Sequence, residues 1–389
     1  SRLTEADMSL IKRGLIYKSI LVSMGLAFWL LPESIKMEFF DEIRMEANAQ
    51  INDWLSEPDS FLLSGFDRLN GPQESSSITV DNDLVHETIE EWIKKSDTEV
   101  LIIQKGGVIL YESYSPDSLR GRAINGMSMV KNLVAILVGI AIDEGRIVSQ
   151  HDEVDIYLPE LEFSGGEAIS IRDLLNHTSG IEENLLSVFS TLGGSSLIAE
   201  LSSINFKSGK KFSYKNTNYH LLSLILSRVY QKPFHAIVED KLWAPMKLSE
   251  GEIIGSSGYC CLFASARTWL AIGQLYLDRG KYKGTQIVSR AWLEIMLSDS
   301  EYPDRFFVQT TGTSKANSYG YHIYRGLEDY PNYFWIEGMG LQVIMIDPMN
   351  KIVIVRLGEI PSWFRSQTNR NDKNLLEDLL NIIAGSSVL

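Results

Sequence analysis

The sequence predicts an α+β fold in which one antiparallel sheet is flanked by helices. Two observations predict it. Runs rich in β-forming residues occur early, at 99–114, and again late, at 319–357, whereas residues 150–290 alternate helical patterns with loops. Strands near both ends of a domain can form one sheet only if those ends come together. Residues 150–290 are therefore predicted to be a largely helical insertion, with a cleft beside the sheet as the natural place for a site.

The composition is typical of a folded globular protein. Apolar residues make up 44% and charged residues 22% of the 389 residues, and the formal net charge is −14. A surface of this sign repels phosphate backbones, so no nucleic-acid partner is expected. The two cysteines, Cys260 and Cys261, are adjacent and are not expected to bridge each other. No spaced Cys/His set indicates a metal site, and we expect neither a metal nor a cofactor.

An apolar segment at residues 14–31 carries one charge, Lys18, and is near the shortest length that spans a bilayer. Lys12 and Arg13 precede it, and the residues directly after it are predominantly acidic. This charge step predicts an uncleaved signal-anchor in the cytoplasmic membrane, single-pass, with the remainder of the chain outside the cytoplasm on the periplasmic side. A cleavable signal peptide and a buried helix of a soluble protein are the alternatives.

The segment between this anchor and the main domain has a mixed character. Residues 36–56 can continue as an amphipathic helix, and residues 56–77 have the Gly, Pro and Ser content of a linker. The predicted division is therefore 1–35 for the membrane anchor, 36–80 for a helix and linker, and 81–389 for the main domain.

Within the main domain the patterns predict both helices and strands. Early elements are a helix at 84–95, a hairpin of strands at 99–104 and 108–114, and a helix at 128–143 that ends before Gly145. Late elements are strands at 319–324, 333–336, 341–346 and 351–357, a turn at 347–350 and a terminal helix at 374–384.

A serine and a lysine stand three residues apart at the start of the long apolar helix. Ser128 and Lys131 would lie on one helix face, so the amine can reach the hydroxyl. A lysine whose pKa is lowered by burial can take the serine proton, and the helix N-terminus favours a developing oxyanion. The spacing alone is weak evidence, since a helix-start serine with a surface lysine would look the same.

A second group of candidates lies at 214–216. Tyr214 offers a phenol that can relay protons, and Asn216 offers an amide that can hold a carbonyl group or the lysine. Taken alone, such a triplet would usually be an ordinary loop.

In combination these features resemble the serine β-lactamase and penicillin-binding-protein superfamily. Residues 126–162 are similar to its nucleophile helix and following loop, 171–181 to the segment between its first two motifs, 214–216 to its Tyr-x-Asn motif, and 261–280 to a further recurrent stretch. The resemblance covers about residues 84–385 in the same order. It is greatest to the class C-like esterase and amidase branch, which includes the 6-aminohexanoate-dimer hydrolases, and it implies a β-lactamase-like fold.

The resemblance also implies roles. Ser128 would attack a carbonyl carbon to form an acyl-enzyme, while Lys131 and Tyr214 would share general base and acid duty. Asn216 would orient the lysine or the substrate. The oxyanion would lie between the Ser128 N–H and one on the late strand near Leu341, with Gly338 and Gly340 as further residues of this substrate and oxyanion region.

The third motif departs from the family pattern. The segment 335–342 keeps Gly338-x-Gly340 and Gln342 but has no cation, and Leu341 stands at a position usually held by glycine. Without a lysine or histidine there, recognition of a substrate carboxylate is less favoured, which argues against penicillin hydrolysis. Leu341 is also expected to crowd the acyl site.

Two functions remain open. One is a hydrolase of a small-molecule ester or amide, with His177 in a structural role because Lys131 already supplies a base. The other is a catalytically silent scaffold or regulatory subunit that keeps the fold, reaches the membrane through residues 14–31 and binds a membrane protein. The intact set of Ser128, Lys131, Tyr214 and Asn216 favours the hydrolase.

Overall fold

The computed structural model describes residues 60–63, 83–159, 168–181, 211–254, 258–298, 308–309, 315–327, 329–358 and 375–385. The chain divides into two compact units, Ser1–Pro58 and Asp59–Leu389, and the described residues all lie in the second. The predicted membrane segment at 14–31 and helix at 36–56 lie outside the described residues. Within the described ranges, no helix combines the length and the apolar character needed to cross a membrane.

Helices and strands alternate irregularly along the described residues. The helices are α1 (Asp83–Lys95), α2 (Val130–Asp143), α3 (Val154–Tyr157), α4 (Ile171–Leu175), α5 (Asn216–Tyr230), α6 (Phe234–Val238), α7 (Ala244–Met246), α8 (Ala266–Leu277), α9 (Arg290–Leu297) and α10 (Leu375–Gly385). The strands are β1 (Ser60–Leu63), β2 (Thr98–Lys105), β3 (Val108–Tyr114), β4 (Ile124–Asn125), β5 (Gly251–Ile254), β6 (Leu262–Ala264), β7 (Lys281–Tyr282), β8 (Thr285–Gln286), β9 (Val308–Gln309), β10 (Lys315–Ala316), β11 (Ser318–Gly320), β12 (Ile323–Arg325), β13 (Phe334–Gly338), β14 (Gln342–Asp347) and β15 (Ile352–Gly358).

The main sheet has seven antiparallel strands in the order β11-β12-β13-β14-β15-β2-β3. Strand β15 pairs with β2, so that Ile354 lies opposite Ile103. This pairing brings the early and late parts of the chain into one sheet. The predicted α+β fold with an antiparallel sheet and flanking helices is therefore confirmed.

Helices cover both faces of the main sheet. On one face, Gly273 of α8 lies directly against Val353 of β15, where an added methyl group would come within 2.4 Å of that side chain. On the other face α1 packs beside α10, and Trp92 Nε1 donates a hydrogen bond to the Leu375 carbonyl oxygen at 3.0 Å. Helix α8 thus belongs to the layer on the sheet, although it lies inside the range predicted as an insertion.

Two stretches differ from their predictions. Residues 60–63, inside the predicted linker, form β1 and pair with β5, because Phe61, Leu62 and Leu63 make a short apolar run. The strand predicted at 319–324 is instead two strands, β11 and β12. Tyr321 and His322 separate them in a tight turn with φ of 55° and 56°.

The two cysteines also differ from their prediction. Cys260 and Cys261 are joined to each other in a disulfide, with their Cα atoms 3.1 Å apart. The expectation rested on the strain that disulfide geometry places on a single peptide unit. The peptide bond between the two residues is cis.

A buried histidine in α5 makes stability depend on pH. His220 is enclosed in the core, and neither ring nitrogen has a hydrogen-bond partner within the part of the chain that the structure describes. Burial disfavours the charged ring and lowers the pKa of His220 to about 4 from its ordinary 6.5. Between these two values the unfolded chain binds a proton that the folded chain does not.

We therefore expect the free energy of unfolding to fall as the pH drops from about 6.5 to about 4. His220 alone would account for a loss on the order of 3 kcal/mol over that window. Urea unfolding of the protein and of His220→Leu at both ends of the window measures this, and the variant should lose less stability. The control is His151→Leu, which removes an exposed histidine. Equal pH dependence in all three proteins would contradict the assignment.

Candidate active site

The serine and lysine of the first motif are in contact. Ser128 lies in a 3₁₀ turn, Met127–Met129, that leads into α2, and Lys131 lies in the first turn of that helix. Lys131 is fully buried, and its Nζ donates hydrogen bonds to Ser128 Oγ at 2.9 Å and to the Tyr259 carbonyl oxygen at 2.7 Å. The three-residue spacing on a helix produces the first contact. The second comes from a loop 128 residues away in the chain.

The turn that carries Ser128 is fixed from the N-terminal side. The Gly126 N–H donates to the Leu262 carbonyl oxygen of β6 at 2.9 Å, and the Met127 N–H donates to Asn125 Oδ1 at 2.8 Å. Met127 has a left-handed φ of 51°. These contacts hold the serine at the junction between a strand and a helix, which directs its hydroxyl out of the regular helix.

Two buried histidines lie close enough to Lys131 for its charge to affect them. Burial, and then the positive charge of Lys131, hold the pKa of both His177 and His322 well below the ordinary range. Both imidazoles are therefore neutral around neutral pH.

The second motif lies against the same lysine. The Tyr214 ring centroid is 5.1 Å from Lys131 Nζ, and the ring stacks on the His177 imidazole with centroids 4.4 Å apart. About 37% of Tyr214 is exposed, so the phenol can meet a ligand from solvent. Asn216 is the first residue of α5 and is half-buried. The structure thus brings Ser128, Lys131 and Tyr214 together and places Asn216 two residues further along.

The third motif approaches Ser128 through Gly338, the last residue of β13. A methyl group added there would lie 2.3 Å from the Gly126 carbonyl oxygen and 3.0 Å from the Ser128 nitrogen. The backbone of β13 therefore passes beside the Ser128 N–H. Gly338 is thus the residue of the third motif whose backbone lies against the Ser128 turn.

The other two residues of this motif that were assigned to the oxyanion region, Gly340 and Leu341, lie in the turn between β13 and β14. Gly340 and Leu341 have φ of 83° and 58°, and the Leu341 side chain is buried with Trp335 and Val343 in the apolar cluster that also contains α1 and α10 residues. Leu341 was expected to crowd the acyl site, but its side chain packs into this cluster instead. The strand residue that lies against Ser128 is Gly338, three positions before Leu341.

Sequence reasoning missed a buried cation behind this turn. Arg356 of β15 is almost fully buried, and its Nη1 donates to the carbonyl oxygens of Gly340 at 2.6 Å and Leu341 at 3.1 Å. Its Nη2 donates to the Ser96 carbonyl oxygen at 2.8 Å. Burial lowers the pKa of Arg356 to about 10, and the group remains charged at neutral pH. A lone arginine inside an apolar strand was the available signal, because such a charge must be satisfied by hydrogen bonds.

His322 was missed as well. The Glu337 carbonyl oxygen lies 2.8 Å from His322 Nε2 and can only accept, so Nε2 carries the proton and Nδ1 accepts from the Tyr319 hydroxyl at 2.9 Å. His322 therefore ties the β11–β12 turn to the residue before Gly338. No spacing in the sequence indicates this contact, because it depends on how two strands pair.

Comparisons with known proteins agree with this architecture. A family model described as Beta-lactamase matches residues 97–257. The 6-aminohexanoate-dimer hydrolase of Paenarthrobacter ureafaciens is 24% identical over 310 residues, which cover 70% of this chain and 75% of that protein.

Solved structures show the same fold. The chain superposes on EstCE1, a hydrolase with promiscuous acyltransferase activity, with a TM-score of 0.59 and 16% identity, over 77% of this chain and 97% of the other. The octameric penicillin-binding protein homologue from Pyrococcus abyssi gives a TM-score of 0.53 and 18% identity, over 77% and 78% of the two chains. The resemblance inferred from the sequence is confirmed.

The close approach of Gly338 to the nucleophile turn can be tested directly. In Gly338→Ala the new methyl group meets the Gly126 carbonyl oxygen and the Ser128 nitrogen of the same turn, so β13 must move away from Ser128. We expect the reactivity of Ser128 toward a fluorophosphonate to fall at least about 10-fold, as for loss of part of an oxyanion site. The measurement is the rate of covalent labelling.

Gly385→Ala is the control, because an added methyl group at Gly385 meets open space. Its labelling rate should equal that of the unmodified protein. An unchanged rate in Gly338→Ala, with the fold intact by circular dichroism, would contradict the role assigned to this contact.

Proposed function

We propose, on the premise that residues 97–257 form a Beta-lactamase family domain, that this chain is a serine hydrolase. It would cleave an ester or amide through an acyl-enzyme on Ser128. The observation that carries the proposal is the 2.9 Å contact between Lys131 Nζ and Ser128 Oγ. A buried amine within hydrogen-bond reach of a serine hydroxyl is the arrangement that activates a weak nucleophile.

Acylation would begin with Lys131 as a neutral amine. Its Nζ accepts the Ser128 proton while Oγ attacks the substrate carbonyl carbon. The ammonium that forms is stabilised by the Tyr259 carbonyl oxygen, 2.7 Å from Nζ. The carbonyl oxygen of the substrate becomes an oxyanion beside the Ser128 N–H and the backbone at Gly338, where fixed donors lower the barrier.

Tyr214 would complete the proton transfers. Its phenol is partly exposed and its ring is 5.1 Å from Lys131 Nζ, so it can pass a proton to the leaving group as the carbonyl–heteroatom bond breaks. Water would then attack the acyl-enzyme with the same groups acting in reverse. Asn216, at the start of α5, would orient the lysine or the substrate carbonyl.

The composition of the third motif limits the class of substrate. None of residues 335–342 is a lysine, arginine or histidine. The nearby guanidinium of Arg356 donates hydrogen bonds to the carbonyl oxygens of Gly340 and Ser96. The substrate we propose is therefore a small ester or amide without a carboxylate at the position where a penicillin carries one. The 24% identical relative is named a 6-aminohexanoate-dimer hydrolase. Two 6-aminohexanoate units are joined through an amide bond, so that name supports amides among the proposed substrates.

The proposal predicts that a fluorophosphonate labels Ser128. Labelling should vanish in Ser128→Ala and persist in Ser298→Ala, which removes an exposed serine hydroxyl. Lys131→Met should lower kcat/KM for a short acyl ester by about 10²- to 10⁴-fold, because it removes the general base. Lys247→Met, at an exposed lysine, is its matched control. No labelling of the folded protein would favour the silent scaffold or regulatory subunit instead.

The proposed location is the outer face of the cytoplasmic membrane. The apolar residues 14–31, the preceding Lys12 and Arg13 and the acidic residues after the segment support it, although this segment lies outside the described residues. The full chain should stay with membranes after an alkaline carbonate wash, whereas a chain without residues 1–35 should be released. Removal of residues 1–10 alone is the control and should leave the protein bound. Release of the full chain would contradict the location.

A further inference from the structure

We infer that His177 is a positioning residue that holds the Tyr214 phenol beside Lys131, an inference that rests on the proposed acyl-enzyme chemistry. His177 comes shortly after α4 in the chain and is buried. It lies beside the second motif, and its contacts are with the residues on both sides of Tyr214 as well as with Tyr214 itself.

The backbone on each side of Tyr214 is bonded to His177. The Ser213 N–H donates to the His177 carbonyl oxygen at 2.8 Å, and the Lys215 N–H donates to His177 Nδ1 at 3.1 Å. The residues that immediately precede and follow the phenol are thus both attached to one histidine. These two hydrogen bonds restrict the backbone dihedral angles around Tyr214 and so limit how far its side chain can move.

The tyrosine side chain is held by the same imidazole. The rings of His177 and Tyr214 are stacked, with centroids 4.4 Å apart and an angle of 26° between their planes. Lys131 Nζ is 5.1 Å from the Tyr214 ring centroid. Because an aromatic contact of this kind fixes the orientation of a ring, it also fixes where the hydroxyl at its end lies relative to the lysine.

A second donor converges on the imidazole. Asn218 Nδ2 lies 3.0 Å from His177 Nδ1, and Asn218 Oδ1 accepts from the Ser179 hydroxyl at 2.6 Å. An Nδ1 that accepts from Lys215 cannot carry a proton, so the ring must be neutral with its proton on Nε2. Burial and the charge of Lys131 lower the pKa of His177 and maintain that form.

The backbone of His177 is itself unusual. Its φ is 56°, in the left-handed region that few residues other than glycine and asparagine adopt. This conformation turns both the carbonyl oxygen and the imidazole toward the second motif. A phenylalanine would keep the ring and lose the acceptor, whereas an asparagine would keep an acceptor, tolerate this φ and lose the ring.

We do not assign His177 as the general base for Ser128. The Ser128 hydroxyl is already bonded to Lys131, whereas His177 contacts the second motif and its aromatic neighbours. Its influence on the reaction therefore passes through Tyr214, which donates the proton to the leaving group. The loss of rate caused by a substitution at His177 should therefore depend on the basicity of the leaving group.

The test is a double-mutant cycle of His177→Phe and Tyr214→Phe on two esters with the same acyl group. One has a nitrophenyl leaving group, which departs without a proton, and the other an alkyl leaving group, which needs one. Each single variant should lower kcat/KM, which reports the steps up to acylation, by about 10²-fold for the alkyl ester, with a much smaller loss on the nitrophenyl ester. The double variant should be no slower than Tyr214→Phe.

A merely structural role gives a different result. If His177→Phe slows both esters equally, or if the two losses multiply in the double variant, the inference is wrong. His220→Leu, at another buried histidine, is the matched control and should leave the ratio of the two rates unchanged. Should His177→Phe fail to fold, His177→Asn enters the same cycle, with the same selective loss expected and the same outcomes counting against the inference.

Different experimental results would contradict the inference and the proposed function. Absence of fluorophosphonate labelling on Ser128 in the unmodified protein would remove both. Normal labelling and turnover, with an additive cycle, would remove only the role of His177.

Discussion

A single buried amine organises this molecule. Lys131 is fully enclosed, and water cannot solvate its Nζ, so protein atoms must do so. The groups that surround it come from widely separated parts of the chain: Ser128 from the same helix, the Tyr259 carbonyl oxygen from the loop before β6, and the Tyr214 ring from the residues before α5. If any of these segments moved away, the amine would lose its solvation, and this ties local folding of the site to the global fold.

The same requirement explains why the surrounding backbone is so closely packed. The turn at Ser128 is bonded to β6 on one side and touches β13 at Gly338 on the other. A side chain at position 338 would separate the strand from the turn. Strand β13 is in turn held by His322 at Glu337 and, through the following turn, by Arg356. Ser128 therefore lies between two layers whose spacing is set by backbone contacts.

Much of the fold could be predicted because its signals are local. The hairpin of β2 and β3 and the long apolar helix α2 follow from periodicity and turn residues within each segment, and sheet closure follows from strands at both ends. The first two motifs of the site are local as well. The contacts of His322 and Arg356, and the position of Gly338 directly against Ser128, depend on strand pairing and on contacts over long sequence distances, which no spacing records. For that reason the sequence grouped Gly338, Gly340 and Leu341 in one oxyanion region without showing that Gly338 is the residue that lies against Ser128. For the same reason residues 319–324 were predicted as one strand, although a tight turn lies at Tyr321 and His322.

The distribution of charge in the site argues for its substrate class. The histidines nearest Lys131, His177 and His322, have lowered pKa values and are neutral, and the buried guanidinium of Arg356 is directed toward carbonyl oxygens behind the β13–β14 turn. A cation fixed on the substrate side would favour the uncharged form of the Lys131 amine, but it would also attract carboxylates into the site. The third motif lacks such a group, and in the proposed mechanism positive charge would arise at Lys131 only when it accepts the serine proton. An arrangement of this kind stabilises the transition state more than a neutral ground state, which is the condition for catalysis on uncharged esters and amides.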